Sequence, residues 1–471
     1  MRIRIVAGAN GSDTAFAKLS QALVVEVTDN AGRPAPGLVV RFEGVPYPQE
    51  KGYGHEVWVM SLSSPVPEGF IADTTDAQGQ AAVLIQMGRI AGAAHLRVTV
   101  PKHGLTAQVD YTVLPGAPVR VRAAPVDTGV YVGSHVQLRG AVLDQHDNAR
   151  SDPVTYTAGS TVVSVTSSGL VEGLALGRGD VVVHAGDFTD TTKVSVVPRG
   201  MLAAHRATDN ALVLFNLDGS GVTSLTTIGH RDGGAAVWAP SGDRLALGTV
   251  VGLGLQIFTV PIGGAVQPLV QPVDDFESQA WPHYSWDGQW IYFSGTARSG
   301  PTSLWRAKSD GTGAERLWPD PINPCCGLVW RPSPSPDGSR LAYVEGYGAE
   351  IRVLDIATRT PSSWSVPGQI PRWSPTRDLI AFVAPYGGAL SIMDGNGNNV
   401  RRVSAPGQIY WEGLFSWSPD GAWLAARSLT SIELLNIDTG LVIPLGYTTA
   451  LDSPSWRPET GGTSSTARSG R

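Results

Sequence analysis

The sequence predicts an all-β chain: two tandem β-sandwiches followed by a six-bladed β-propeller closed by strands from its own N- and C-terminal ends. Three observations predict it. A turn of the Trp-Ser-Pro-Asp-Gly type recurs through the second half, short apolar runs follow each copy in pairs, and the first 200 residues alternate apolar with polar residues between turn signals. Composition agrees. The 471 residues include 56 Gly and 34 Pro, which suits many short strands joined by turns that need positive or fixed φ.

The recurrent turn is clearest at Trp417-Ser-Pro-Asp-Gly421. Relatives begin at Trp238, Tyr284, Pro334, Trp373 and Trp456, 39 to 50 residues apart. A spacing of about 44 residues is the length of a four-stranded propeller blade. After each of the first five turns comes an apolar strand ("RLALGTV", "WIYFSGT", "RLAYVEG", "LIAFVAP", "WLAARSL"), and then a second one. Asp-Gly or Asn-Gly pairs lead several of these into a weaker outer strand. The final turn, at Trp456, has no strands after it, whereas the strands of 202–227 have no turn before them. Joining the two completes a sixth blade and leaves no open sheet edge in the ring. Trp238, Trp373, Trp417 and Trp456 are expected to pack between blades.

The pattern "WSPDG", apolar strand, second strand, "DG[ST/N]G", outer strand resembles that of TolB-type propellers over about residues 200–460. The resemblance implies the fold and little about function, because such blades serve translocation complexes, peptidases, lyases and scaffolds. Residues 1–115 resemble a bacterial immunoglobulin-like domain of the invasin/intimin type. Its two marker turns are Asp29-x-x-Gly-x-Pro-x-x-Gly37 and Thr75-Asp-x-x-Gly79. Residues 116–198 resemble the second common bacterial immunoglobulin-like type through Val162 to Gly173, "VVSVTSSGLVEG", with Tyr156 where that family usually has Trp. The propeller is assigned to 199–459, and 460–471 are expected to be a disordered tail. The short link at "VPRG" predicts a stiff junction.

Several function classes are disfavoured. The net charge of −6 comes with no basic stripe, which argues against nucleic acid. Residues 245–273 are uncharged and long enough to span a bilayer, but Gly and Pro at turn-like spacing read as hairpins. The start "MRIRIVAGANG" has no apolar signal-peptide core and reads as a strand and a turn. The propeller's three histidines, His205, His230 and His283, fall in different blades, so no metal and no cofactor is expected. No hydrolase elbow is present. "DGNGNN" at 394–399 imitates the start of a calcium loop, yet Asn399 stands where Gly is needed and Ala405 where the bidentate acid belongs, so an ordinary hairpin is expected. Cys325-Cys326, after "DPINP", are the only cysteines. They either close a vicinal disulfide, if the protein is exported, or remain two thiols.

The expected function is therefore that of a non-enzymatic, exported or cell-surface protein of the adhesion or binding kind. In this reading an immunoglobulin-like stalk presents a propeller to a protein or glycan. The alternative is a carbohydrate-active or other hydrolase or lyase propeller with accessory modules. Ligand-face candidates lie on the loops entering the inner strands: His230, Arg231, Asp232; Asp274, Asp275, Glu277; Tyr410, Trp411, Glu412. Extracytoplasmic location follows from the resemblance of the modules.

Overall fold

The structure is a computed structural model, which describes residues 1–64, 66–227, 234–252, 254–270, 276–297, 300–319, 328–347, 349–385, 388–406, 408, 410 and 414–459. Among these residues every regular element is a strand or a single 3₁₀ turn. The chain divides into two compact units. One holds Met1–Ala124, Arg139–Thr157 and Val182–Thr191, and the other Pro125–Leu138, Ala158–Val181 and Thr192–Arg471.

In the first unit, Leu23–Thr28 and Gln80–Met87 form the middle of one sheet, and Gly92–Val100 and Leu105–Leu114 the middle of another. One core joins them, with Val25, Phe42, Ile85 and Leu96 fully buried. Gln80–Met87 buries every second side chain, because one face packs and the other is left outside. The two marker turns are Asx turns. The Asp29 carboxylate accepts the amides of Ala31 (2.8 Å) and Arg33 (3.0 Å), and that of Asp76 accepts Gln78 and Gln80 (2.9 Å each). Buried Thr75 links them, since its hydroxyl donates to the Ala35 carbonyl (2.7 Å) and accepts from the Leu38 amide (2.9 Å).

The second unit contains six successive antiparallel sheets. The first is built from both ends of the segment. Leu451–Trp456 is its innermost strand and pairs with Met201–Arg206, setting Leu202 opposite Trp456 and Arg206 opposite Leu451. Blade 1 then continues outward through Ala211–Asn216 and Thr223–Thr226. The inner strands of blades 2 to 6 are Val237–Trp238, Phe276–Tyr284, Val329–Pro334, Gln369–Trp373 and Phe415–Trp417.

Side chains fuse each sheet with the next. Ala203 and Leu212 pack with Trp238 and Leu245, and Ala246 and Ile257 with Tyr284 and Ile291. Similar cores run on from blade 3 to 4, 4 to 5 and 5 to 6. The last joins Ala425 and Leu434 of blade 6 to Leu202, Val213 and Trp456 of blade 1. The contacts return to their origin, so the six sheets form a closed β-propeller.

Strands of the second module are tied to this propeller within the same unit. Asp127–Tyr131 runs parallel to Lys193–Val197. The Pro444 carbonyl of blade 6 accepts from Ser195 Oγ (2.7 Å) and Arg178 Nη1 (3.2 Å), and Arg178 also pairs with Asp127.

Candidate functional site

The recurrent turn explains its own spelling. Ser418 Oγ donates to Asp420 and accepts the amide of Trp423 (2.9 Å), while Gly421, at φ +69°, donates its amide to the Ser418 carbonyl (2.9 Å). Ser335, Asp337 and Gly338 repeat these bonds in blade 4, as Ser285, Asp287 and Gly288 do in blade 3. In these three turns serine, aspartate and glycine are therefore wired to one another.

The residue just before the first residue of each turn occupies one equivalent position per blade. Going round the ring from blade 1, these are Ser455, Val237, His283, Ser333, Arg372 and Ser416. In four blades this residue follows an X-Pro pair whose X has left-handed φ: Trp281 (57°), Arg331 (57°), Ile370 (54°) and Ser453 (51°). Strand register slips at each of the four, so each inner strand carries a bulge there.

The next blade's tryptophan hangs on this position. The indoles of Trp238 and Trp417 donate to the carbonyls of Ser455 (3.0 Å) and Arg372 (2.9 Å). The amides of Trp373 and Trp456 donate to the hydroxyls of Ser333 (2.9 Å) and Ser416 (2.8 Å).

A cavity of about 390 Å³ lies inside this ring. Val237, His283, Arg372, Ser416 and Ser455 line it, with five tryptophans and several turn prolines as its walls. Asp420 and Glu459 reach its turn-side end. Arg372 is only 9% exposed, and among the described residues its guanidinium has no hydrogen-bond or ion-pair partner. Burial lowers it to about 10, so it remains a cation at neutral pH. His283 donates from Nδ1 to the Tyr284 carbonyl (2.9 Å). Burial, helped by the Arg372 charge, holds its imidazole down to about 3, so it is neutral at pH 7.

The ligand-face residues named from sequence fare differently. His230, Arg231, Asp232, Asp274, Asp275, Trp411 and Glu412 lie outside the described residues, as do Cys325 and Cys326. Glu277 is exposed on the inner strand of blade 3. Tyr410 is corrected: it is 2% exposed and packs in the core between blades 5 and 6. Its hydroxyl donates to Glu433 Oε2 (2.8 Å). Trp238, Trp373, Trp417 and Trp456 are buried between blades.

The "DGNGNN" stretch is a hairpin turn. Asp394 accepts the amides of Asn396 and Asn398 (2.9 Å each) and the Asn399 side chain (2.8 Å). Among the described residues no three His, Cys, Asp or Glu side chains gather to hold a metal, and no helix is long and apolar enough to cross a membrane.

Sequence reasoning missed the ring position, although its signal was present. Pro282, Pro332, Pro371 and Pro454 each stand two residues before the first residue of a recurrent turn. Aligning the copies on that proline would have shown serine at two ring positions and Arg and His at the other two.

No known family profile matches the chain. An uncharacterized protein of Agrobacterium fabrum, Atu1656, is 37% identical over 79 residues, which is 16% of this chain and a quarter of that protein. Among solved structures, TolB from Acinetobacter baumannii aligns over 65% of this chain and 83% of its own, at 15% identity and TM-score 0.44. A putative TolB from Agrobacterium tumefaciens covers 53% and 89%, at 16% identity and TM-score 0.39. An oligogalacturonate lyase in complex with manganese covers 53% and 73%, at 15% identity and TM-score 0.35. Likeness at this level carries nothing on function, and the propeller rests on its own sheet order.

Proposed function

We propose that this chain is a non-enzymatic, extracytoplasmic binding protein in which immunoglobulin-like modules carry a TolB-like propeller that recognises a protein or glycan. The axial cavity carries the reading. It is a concave site with tryptophan walls and one buried cation that has no partner among the described residues, the usual make-up of a recognition pocket. The recognition centre moves accordingly from the loop-bearing face to the propeller axis. The immunoglobulin-like assignment of 1–115 is supported by the two Asx marker turns joined through Thr75, and that of 116–198 rests on its sequence pattern. The stiff junction is supported by the bonds from Ser195 and Arg178 to Pro444. Export follows from the kind of module.

The test is a glycan and protein-array screen with the full chain in EDTA. Saturable, metal-independent binding is expected. Release of a cleaved product from any bound glycan would assign the chain to the hydrolase or lyase alternative instead.

A further inference from the structure

We propose that the axial cavity captures the C-terminal carboxylate of a partner protein whose last residue is apolar, with the Arg372 guanidinium as the anchor. This rests on the binding reading above and names the group that enters the site.

The first argument is the uncompensated charge. A buried cation is ordinarily paired, because leaving water costs it far more than burial of the stem returns. Arg372 is more than nine-tenths buried, lines the cavity, and has no anionic or carbonyl partner among the described residues. Other buried or half-buried arginines of the propeller do have partners: Arg306 pairs with Glu315, Arg340 with Asp378 and Arg352 with Glu345. The anion missing from Arg372 is therefore one that arrives from outside, and a guanidinium fork fits a carboxylate two-pronged.

The second argument is the repeat. Three of the six ring positions are serine, and at two of them, Ser333 and Ser416, the hydroxyl staples the next blade. Arginine at 372 does no such service with its side chain, and the Trp417 indole needs only the Arg372 main-chain carbonyl. Ring assembly does not require the guanidinium.

The third argument is the wall. Beyond Arg372 and His283 the lining is mostly tryptophan, proline, alanine, Val237 and Phe415, with hydroxyls at Tyr284, Ser416 and Ser455. A sugar acid would bury several hydroxyls against surfaces with few partners for them, and each unpaired hydroxyl weakens binding. A carboxylate on an apolar residue leaves nothing unpaired. His283, neutral and engaged through Nδ1, adds no second cation, and Asp420 and Glu459 at the turn-side end repel multiply charged anions. About 390 Å³ lies within the size range of small-ligand pockets, roughly 300–1,000 Å³. Terminal carboxylate capture is a recurrent mode of peptide recognition.

The experiment titrates the full chain with acetyl-Gly-Gly-Leu as the free acid, the same peptide as its C-terminal amide, and D-glucuronate. Tryptophan fluorescence is the readout. The free acid should bind saturably, with the amide weaker by about tenfold or more. Arg372→Ser, which installs the residue found at three other ring positions, should abolish the acid's advantage. Arg372→Lys should keep part of it. The acid-to-amide ratio on the unaltered protein does not depend on how any variant folds. Equal affinity for acid and amide, or an Arg372→Ser protein that binds the acid as tightly as the parent, overturns the proposal. Tighter binding of glucuronate than of the peptide acid overturns it in favour of an acidic sugar. If the array screen finds a partner while none of these carboxylates binds, the anion site falls and the binding function stands.

Discussion

Two strands of similar length show how differently the two units are held together. Gln80–Met87 in the sandwich alternates half-buried and buried side chains along its whole length, while Ala211–Asn216 in blade 1 buries every side chain except that of Asn216. The sandwich strand has a partner sheet on one side only. The blade strand has two, with Leu212 and Leu214 facing blade 2 and Ala211, Val213 and Phe215 facing blade 6. A sandwich therefore concentrates its apolar burial in a single core, whereas the propeller spreads it over six thinner seams that must all close together. The lesson is that the ring has a weak point the sandwich lacks: the seam made by strands from opposite ends of the segment.

The largest effect should come from that seam. Deleting residues from Leu451 onward removes the inner strand of blade 1, the buried Trp456, and the Ser455 carbonyl that holds the Trp238 indole. Both faces of the missing seam would then meet water, and an unpaired strand edge would be left at Met201–Arg206. The expected outcome is loss of the propeller's cooperative thermal transition, followed by near-ultraviolet circular dichroism of its tryptophans, while the sandwich retains its own. A truncated protein that melts like the parent breaks the comparison, because the ring would then be held without its closing strand.

A middle-sized effect separates the units by acid. Asp144 of the first unit is fully buried. Burial alone would raise its pKa, but hydrogen bonds from the Asn148 side chain and the amides of Gly116, Asn148 and His146 outweigh it and hold the carboxyl down to about 2. A depressed folded value means that the unfolded chain binds the proton first. The stabilisation is complete above the ordinary value near 3.8 and is lost as pH falls toward 2. Asp144→Asn should cost the first unit about 2 kcal/mol at pH 7, read from urea unfolding, with the difference shrinking toward pH 2. A constant difference across that range would mean that shape, not charge, is what the loop needs.

How much of this was legible follows the same contrast. The propeller could be read because its turn is spelled in residues whose roles are local: Ser418, Asp420 and Gly421 bond to one another, so the pattern survives from blade to blade. The closure could be read from counting, since Trp456 had a turn without strands and Leu202 had strands without a turn. The axial site could not be read that way. Arg372 and His283 are 89 residues apart in sequence, and only ring geometry, with a bulge ahead of each, brings both to one cavity. Tyr410 misled because an aromatic beside Trp411 and Glu412 looks like a loop face. Its burial depends on Glu433, a partner on another strand that spacing does not reveal.

Glu433 provides the smallest effect and one of opposite sign. It sits on Ile432–Asn436 of blade 6, is nearly fully buried, and accepts hydrogen bonds from Tyr410 and Gln408. Burial dominates there and pushes its pKa above the ordinary carboxylate value, with the Tyr410 hydrogen bond opposing only in part. The folded chain thus holds this proton to a higher pH than the unfolded chain. Its favourable contribution is fully present below the ordinary value of 4.5 and is lost as pH rises through the folded one. Glu433→Gln keeps an oxygen for Tyr410 and removes the charge, so it should raise propeller stability by about 1 kcal/mol at pH 8 and by less at pH 5, measured from urea midpoints of the tryptophan signal. Acid should then weaken the first unit through Asp144 while it relieves the propeller at Glu433. Were Glu433→Gln instead to destabilise at pH 8, the ionised carboxylate would be a net gain to blade 6, and the sign of the contrast between the two units would reverse.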